Sequence, residues 1–260
     1  MRLPKLLILL LLLTLSGACT EPISNKIINQ INSALMHERS GADNERSDAA
    51  LSVIKPANSR ENAMLDIVKM VRSEQLNANY QMQIQPSTEQ VLKQADSLAS
   101  KLGYASLTVW VKSQIGFYYY RHTHLERALP YFLETSKYLA ESHTTIELDP
   151  VDCLIKNAYF YGNVGDHQLA IQNLEQALLA QHIAEKDTAV IEYSLGYEYL
   201  LLNDTIKAKE YFIKAKASAK TYDPIRYAKV LGELAVIEKK QGICGRRTTF
   251  IGRYCIIRAT

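Results

Sequence analysis

His122 and His124 flank Thr123, and Glu126 follows two residues later. Two imidazoles at that spacing can share a metal ion, but a structural or catalytic zinc needs a third and a fourth ligand. The pattern supplies neither, so both read as solvated histidines of a turn. Cys153 is the single cysteine between Cys19 and Gly242, and it reads as a small buried apolar residue on a helix. The chain holds no glycine-rich phosphate loop, no HExxH pair and no GxSxG elbow. An enzyme is the least favoured class, and no cofactor or metal is expected. From Lys207 to Lys220, Lys alternates with Ala and Glu, which reads as a solvated helix face.

With no reactive constellation, the informative question is which elements the chain builds. Between Cys19 and Gly242, Leu, Ala, Lys, Glu and Gln dominate, and no stretch alternates apolar and polar over strand length. The fold class is therefore all-α. The periodicity predicts helices over Ser24–Glu38, over Asp48–Lys55 with Asp48 as N-cap, and over Ser59–Ala78. A further helix opens at Pro86, runs to Leu102 and is stopped by Gly103.

From residue 105 a pattern repeats. Gly116, Tyr119, Ala128 and Phe132 are followed by Ala158, Tyr161, Ala170 and Leu174, and then by Gly196, Tyr199, Ala208 and Phe212. In each copy an aromatic lies three residues after a small residue, an alanine twelve after it and a large apolar residue sixteen after it. That spacing places the small residue on the first helix of a hairpin and the alanine on the second. Both are small because the helices cross closely there. The aromatic and the large apolar residue fill the space between neighbouring hairpins. Polar turns fall between the helices, at Arg121 to His124, Gly165-Asp166 and Asn203-Asp204.

These positions resemble the most informative ones of the tetratricopeptide repeat, although the periods of 42 and 38 residues exceed its usual length of about 34. The resemblance implies a right-handed α-solenoid of stacked antiparallel helix hairpins over residues 105–242, with 19–104 as a helical or degenerate-repeat region. It also implies a concave groove lined by the first helices. Carried onto this chain, its positions are Trp110, Ser113, Phe117, Tyr120 and Arg121 in the first copy. They are Asp152, Ile155, Tyr159, Gly162 and Asn163 in the second, and Val190, Tyr193, Tyr197, Leu200 and Leu201 in the third. Trp, Tyr and Arg dominate binding hot spots, and a groove so lined suits an extended or helical peptide with apolar side chains. Phe117 and Tyr159 stand where the family's chaperone-tail clamp wants asparagine, so that specificity is not expected.

The two ends stand apart. Residues 1–18 read as a secretory signal: Arg2 and Lys5, an aliphatic run from Leu6 to Leu13, and then small residues. The run is shorter than the roughly 20 residues a membrane-spanning helix needs. Leu15-Ser16-Gly17-Ala18-Cys19 resembles a bacterial lipoprotein lipobox, with Ser16 where a large aliphatic residue is usual. The resemblance implies a lipid on Cys19 and display at the cell envelope on the periplasmic side. Thr20 and Glu21 do not supply the aspartate that retains lipoproteins in the inner membrane, which favours the outer one.

Residues 243–260 read ICGRRTTFIGRYCIIRAT, a basic tail without helical period. Read one base out of frame, the tail must give Leu or Met at 244, an apolar residue at 250, Tyr or His at 251, an aliphatic residue at 254 and Leu at 255. One permitted reading, DMRKADNLYREILYYQGY, is an amphipathic helix with alanine in place of Arg247. The expectation is a slipped frame near Gly242. The whole chain carries 30 basic and 27 acidic residues; removing four arginines of the tail, Arg2 and Lys5 leaves 24 basic, a net charge of −3. The overall basicity therefore does not point to nucleic acid.

The expected function is a membrane-anchored extracytoplasmic scaffold that binds a protein or peptide, with its oligomeric state open. The alternative is the sensory repeat domain of a larger membrane-bound transcriptional regulator or histidine kinase, whose output half the slip would have removed.

Overall fold

The computed structural model describes residues 21–240 apart from 40–43, 79–82, 142–146, 181, 182 and 184. The signal segment, Cys19 and the tail 243–260 lie outside the described residues. Among the described residues there are eleven helices and no strand. They are α1 (Asn25–Arg39), α2 (Asn44–Ser52), α3 (Ser59–Ala78), α4 (Pro86–Leu102), α5 (Ala105–Arg121), α6 (Leu125–Glu141), α7 (Pro150–Asn163), α8 (His167–Leu178), α9 (Glu185–Leu201), α10 (Thr205–Tyr222) and α11 (Pro224–Lys240). The chain is all-α, and neighbouring helices pack in pairs, most extensively α5 with α6, α7 with α8 and α9 with α10. In addition, α3, α5, α7, α9 and α11 each touch the next member of that series.

Local sequence sets the helix ends as expected in α4. Pro86 opens it, and Gly103 closes it at φ 68°, donating its N–H to the carbonyls of Ala99 and Ser100. The expected cap at Asp48 is a correction. The helix starts at Asn44, so Asp48 lies inside it, and its carboxylate accepts from Arg72 at 2.6 Å. Arg72 is 1% exposed, and a guanidinium so buried requires an anionic acceptor.

The repeated small residues mark the crossings. Ala128, Ala158, Ala170 and Ala208 are all buried, as are Gly116 and Gly196. A methyl group on Gly116 would stand 3.1 Å from the Phe132 ring, and one on Gly196 would stand 2.7 Å from the Phe212 ring. The first and last residues of the pattern therefore meet face to face in the first and third pairs. Phe132 also stacks on Phe160 of the next pair, with centroids 4.6 Å apart.

The aromatic three residues after the small one ties its pair to the pair before. Tyr119 donates to the Glu89 carboxylate on α4 at 2.9 Å. The Tyr161 hydroxyl lies 2.8 Å from Ser136 Oγ on α6, and Tyr199 donates to Glu175 on α8 at 3.0 Å. Burial, and then the Glu175 hydrogen bond, push the Tyr199 phenol up to about 12. The expectation that these three tyrosines pack between pairs is met.

The turns repeat as closely. Seven residues after the small one, Thr123, Gly165 and Asn203 take left-handed backbone, with φ 63°, 91° and 62°. At position eight, His124, Asp166 and Asp204 each donate a backbone N–H to the carbonyl of the position-three tyrosine, at 3.0, 2.9 and 2.9 Å. The Asp166 and Asp204 side chains then cap the next helix, accepting from Leu169 N–H at 3.1 Å and Lys207 N–H at 3.0 Å.

The first helices are fastened by polar clips. Glu61, 2% exposed, accepts from the Ser24 hydroxyl at 2.6 Å, the Ser24 N–H at 3.0 Å and the Ala57 N–H at 2.7 Å. These bonds, that of the Ser24 hydroxyl foremost, hold its carboxyl below the usual carboxylate range. Asn32 on α1 donates to the Glu147 carbonyl at 2.7 Å and accepts the Asp149 N–H at 2.9 Å. Ser106 Oγ accepts from the Glu147 and Leu148 N–H groups at 2.8 and 3.0 Å. The segment leading into α7 is thus held from two directions.

The glycines give a direct test of the crossing. A methyl group on Gly232 of α11 would meet nothing within 4 Å. Gly232→Ala should raise stability by about 0.5–1 kcal/mol through helix propensity alone. Gly196→Ala should lower it by about 1–3 kcal/mol, because the methyl displaces the Phe212 ring. Gly116→Ala should fall between them. Urea unfolding of the three variants checks this, and equal effects at all three sites contradict it.

Candidate binding groove

The first helices α5, α7, α9 and α11 lie side by side, so residues at equivalent positions form a stripe across them. On α5, Phe117 and Tyr120 are partly buried and stack with centroids 5.7 Å apart. Arg121 is exposed, with its guanidinium 6.0 Å from the Phe117 ring centre. Beneath this pair lies a closed polar cluster. Lys156 Nζ reaches from α7 to 5.0 Å from the Phe117 centroid, pairs with Asp152 at 2.5 Å and donates to Gln114 Oε1. Gln114 Nε2 donates to Asp152 at 2.8 Å. With Lys156 8% exposed and Gln114 1% exposed, every charge in the cluster is matched at the point where α5 meets α7.

Further along, Tyr159 on α7 is partly buried, and burial raises its phenol while Arg226 and a Ser194 hydrogen bond pull it back. Tyr193 on α9 carries Arg226 of α11 5.5 Å from its ring centre, and Asp223 holds that guanidinium at 3.1 Å. Tyr197 is 44% exposed, and Asn163 is exposed at the end of α7. Glu198, next to Tyr197, is 9% exposed and bonds His167 Nδ1 of α8 at 2.7 Å. Gly162 makes room for it: a methyl there would collide with Glu198 Oε1.

Of the fifteen expected groove positions, that of Trp110 is the first to require correction. It is 2% exposed, and α5 is covered on that side by both α3 and α7. Its indole is core, with no acceptor for its N–H among the described residues. Ser113 and Ile155 are buried for the same reason, at 0% and 7%. Of the residues one, four and five after the small one, Arg121, Asn163 and Tyr197 are exposed, while Phe117, Tyr120 and Tyr159 are partly buried. Tyr193 is partly buried as well.

The residue pattern missed the buried polar layer. Gln114, Lys156 and Ser194 each lie two residues before the small residue, and all three are buried. A polar side chain recurring at that position was the available signal. Arg226 and Glu198 were missed because their roles depend on neighbouring copies. The two histidines are engaged within their turn: His122 Nδ1 lies 2.7 Å from the Tyr118 carbonyl, and His124 Nδ1 lies 3.3 Å from Glu126. Cys153 is fully buried, and burial raises its thiol well above the usual range, so it is inert packing as expected. Among the described residues no group of three or more His, Cys, Asp or Glu is placed to hold a metal ion, and no helix is long and apolar enough to cross a membrane. No family model matches the chain, and no curated protein matches it.

Glu198 yields a pH test. Burial raises its carboxyl above the usual carboxylate range, and the His167 hydrogen bond offsets part of that. Its contribution to stability is therefore complete below about pH 4.3, the unfolded value, and is lost as pH rises through the higher folded one. Glu198→Gln cannot ionise. It should gain stability relative to the parent as pH rises from 4 to 7 in urea unfolding, and a difference that does not change with pH contradicts the assignment.

Proposed function

We propose that this chain is a tetratricopeptide-type scaffold. In this reading the helix pairs are antiparallel hairpins stacked into a right-handed solenoid. Their first helices line a concave groove that binds a protein or peptide, and a lipid on Cys19 displays the groove from the membrane at the periplasmic side. No chemistry is assigned to the chain and no nucleic acid is its partner.

One observation carries the reading: the division of the tyrosines. Tyr119, Tyr161 and Tyr199 are buried and hydrogen-bonded between pairs, whereas Phe117, Tyr120, Tyr159, Tyr193 and Tyr197 stay open or half-open on successive first helices. A row of partly exposed aromatics on a rigid base offers apolar area at low entropic cost, which is what a peptide-binding groove requires. The matched charges beneath Phe117 leave the groove floor neutral, so apolar side chains of the partner meet rings and not bare charge.

A photoreactive residue at Tyr197 should capture a partner that one at Ile206, 82% exposed on the second helix α10, does not capture. Tyr197→Ala should weaken binding of that partner by about 2 kcal/mol. Equal capture at both sites contradicts the groove. Labelled palmitate fed to cells should enter the parent chain and not Cys19→Ala; an unlabelled parent contradicts the anchor and leaves the groove untouched.

A further inference from the structure

The helix α11 is the last described element, and its register is that of a first helix. Ala235 is its twelfth residue, as Gly116 is of α5 and Gly196 is of α9. Val230, five residues before Ala235, is fully buried, as are Val111 and Ile191 at the same position. Beyond that the likeness stops. The residues just before the crossing, Ile115, Asn157 and Leu195, are at most 1% exposed, whereas Leu234 and Ala235 are only partly covered. Leu231 is 37% exposed. Its counterparts Lys112 and Glu192 face their own second helix, pairing with Glu134 at 2.9 Å and Ser218 at 2.7 Å. The face of α11 that its predecessors cover with a second helix is therefore open among the described residues.

The positions the structure adds to the repeat carry the pattern onward. Gly242 falls seven residues after Ala235, where Thr123, Gly165 and Asn203 hold the left-handed turn. In the frame given, the next positions fail. Ile243 stands at the cap position of Asp166 and Asp204, and Arg247 at the crossing position, where Ala128, Ala170 and Ala208 are 0% exposed. A guanidinium at a crossing that admits only a methyl group cannot pack.

One base out of frame, each codon takes its last two bases from the codon now read at that position. Position 243 is then limited to Asp, Asn, His or Tyr. The first three include the cap residues of the second and third copies and the histidine of the first. Position 247 admits Ala, Ser, Thr or Pro from the CG arginine codons. Position 250 must be Phe, Leu, Ile or Val, position 251 Tyr or His, and position 254 Leu, Ile or Val. These three lie fifteen, sixteen and nineteen residues after Ala235. Tyr131, Phe132 and Thr135 of α6 and Tyr211, Phe212 and Ala215 of α10 occupy the same places on their buried faces. The aliphatic residue at 254 is larger than its counterparts. In this frame the apolar identities at 250 and 254 follow from the genetic code whatever codons are used, and 251 is held to an aromatic or imidazole ring.

We infer that α11 is the first helix of a fourth pair, and that the helix covering Leu231, Leu234 and Ala235 is encoded by the stretch now read as residues 243–260, one base out of frame. The occupant of the open face is thus a segment of the same gene. The groove gains a fourth wall, whose open position one residue after Ala235 is Val236, 40% exposed.

Sequencing source DNA across codons 242–260 is the first test. The result expected is an open shifted frame with a small residue at 247 and Asp, Asn or His at 243. A stop before 255, or Lys, Glu, Gln or Pro at 247, overturns the inference. The second test compares hydrogen exchange in the full chain with that in the shifted-frame chain expressed to its own stop. Amides of Leu234 and Ala235 should exchange at least tenfold more slowly in the shifted chain. Equal rates overturn the inference. Protection in the unshifted chain that grows with its concentration assigns the face to a second copy and also overturns it.

Discussion

Two helices can approach closely only where a small residue on one leaves room for the other, and the three clear copies of this repeat are organised around that constraint. At Gly116 and Gly196 the partner is a phenylalanine ring from the second helix, near enough that a single methyl group would collide with it. Once that contact is made, the rotation of the first helix about its own axis is set. The tyrosine three residues on is turned towards the preceding pair, where it finds Glu89, Ser136 or Glu175. The residues one, four and five positions on are turned the other way. The partial exposure of Phe117, Tyr120 and Tyr159 is thus a geometric consequence of a buried crossing.

The same constraint governs the connection between the helices. A left-handed residue at position seven followed by a capping residue at position eight closes the first helix and opens the second in the least chain length. The N–H of position eight returns to the carbonyl of the tyrosine at position three, so turn, tyrosine and crossing form one mechanical unit. Two buried cations enter this core with partners, Lys156 with Asp152 and Gln114, and Arg72 with Asp48. The Lys156 cluster joins α5 to α7, and the Arg72 pair joins α3 to α2.

What the residue pattern revealed and what it concealed divide along one line. The helices, the crossings and the role of Tyr119, Tyr161 and Tyr199 were legible because each depends on spacing within a single copy. Trp110 was misplaced because its burial comes from α3 and α7 on either side of α5, which no spacing within one copy reports. Asp48 was misplaced because Arg72, a full helix away in sequence, draws it. Gln114 and Lys156 form their cluster across copies, and Arg226 reaches Tyr193 from the next first helix. The turn at positions seven and eight was present in the sequence throughout, but Thr, Gly and Asn share a conformation and not a chemistry, so composition alone did not align them.

The central claim is that one set of tyrosines is structure and another is surface. Nitration of the folded chain with tetranitromethane, followed residue by residue by mass spectrometry, tests it most directly. The account predicts that Tyr197 reacts first, with Tyr120 and Tyr193 behind it, while Tyr119, Tyr161 and Tyr199 remain unmodified until the chain unfolds. Modification of those three at the rate of Tyr197 in the folded chain would contradict it.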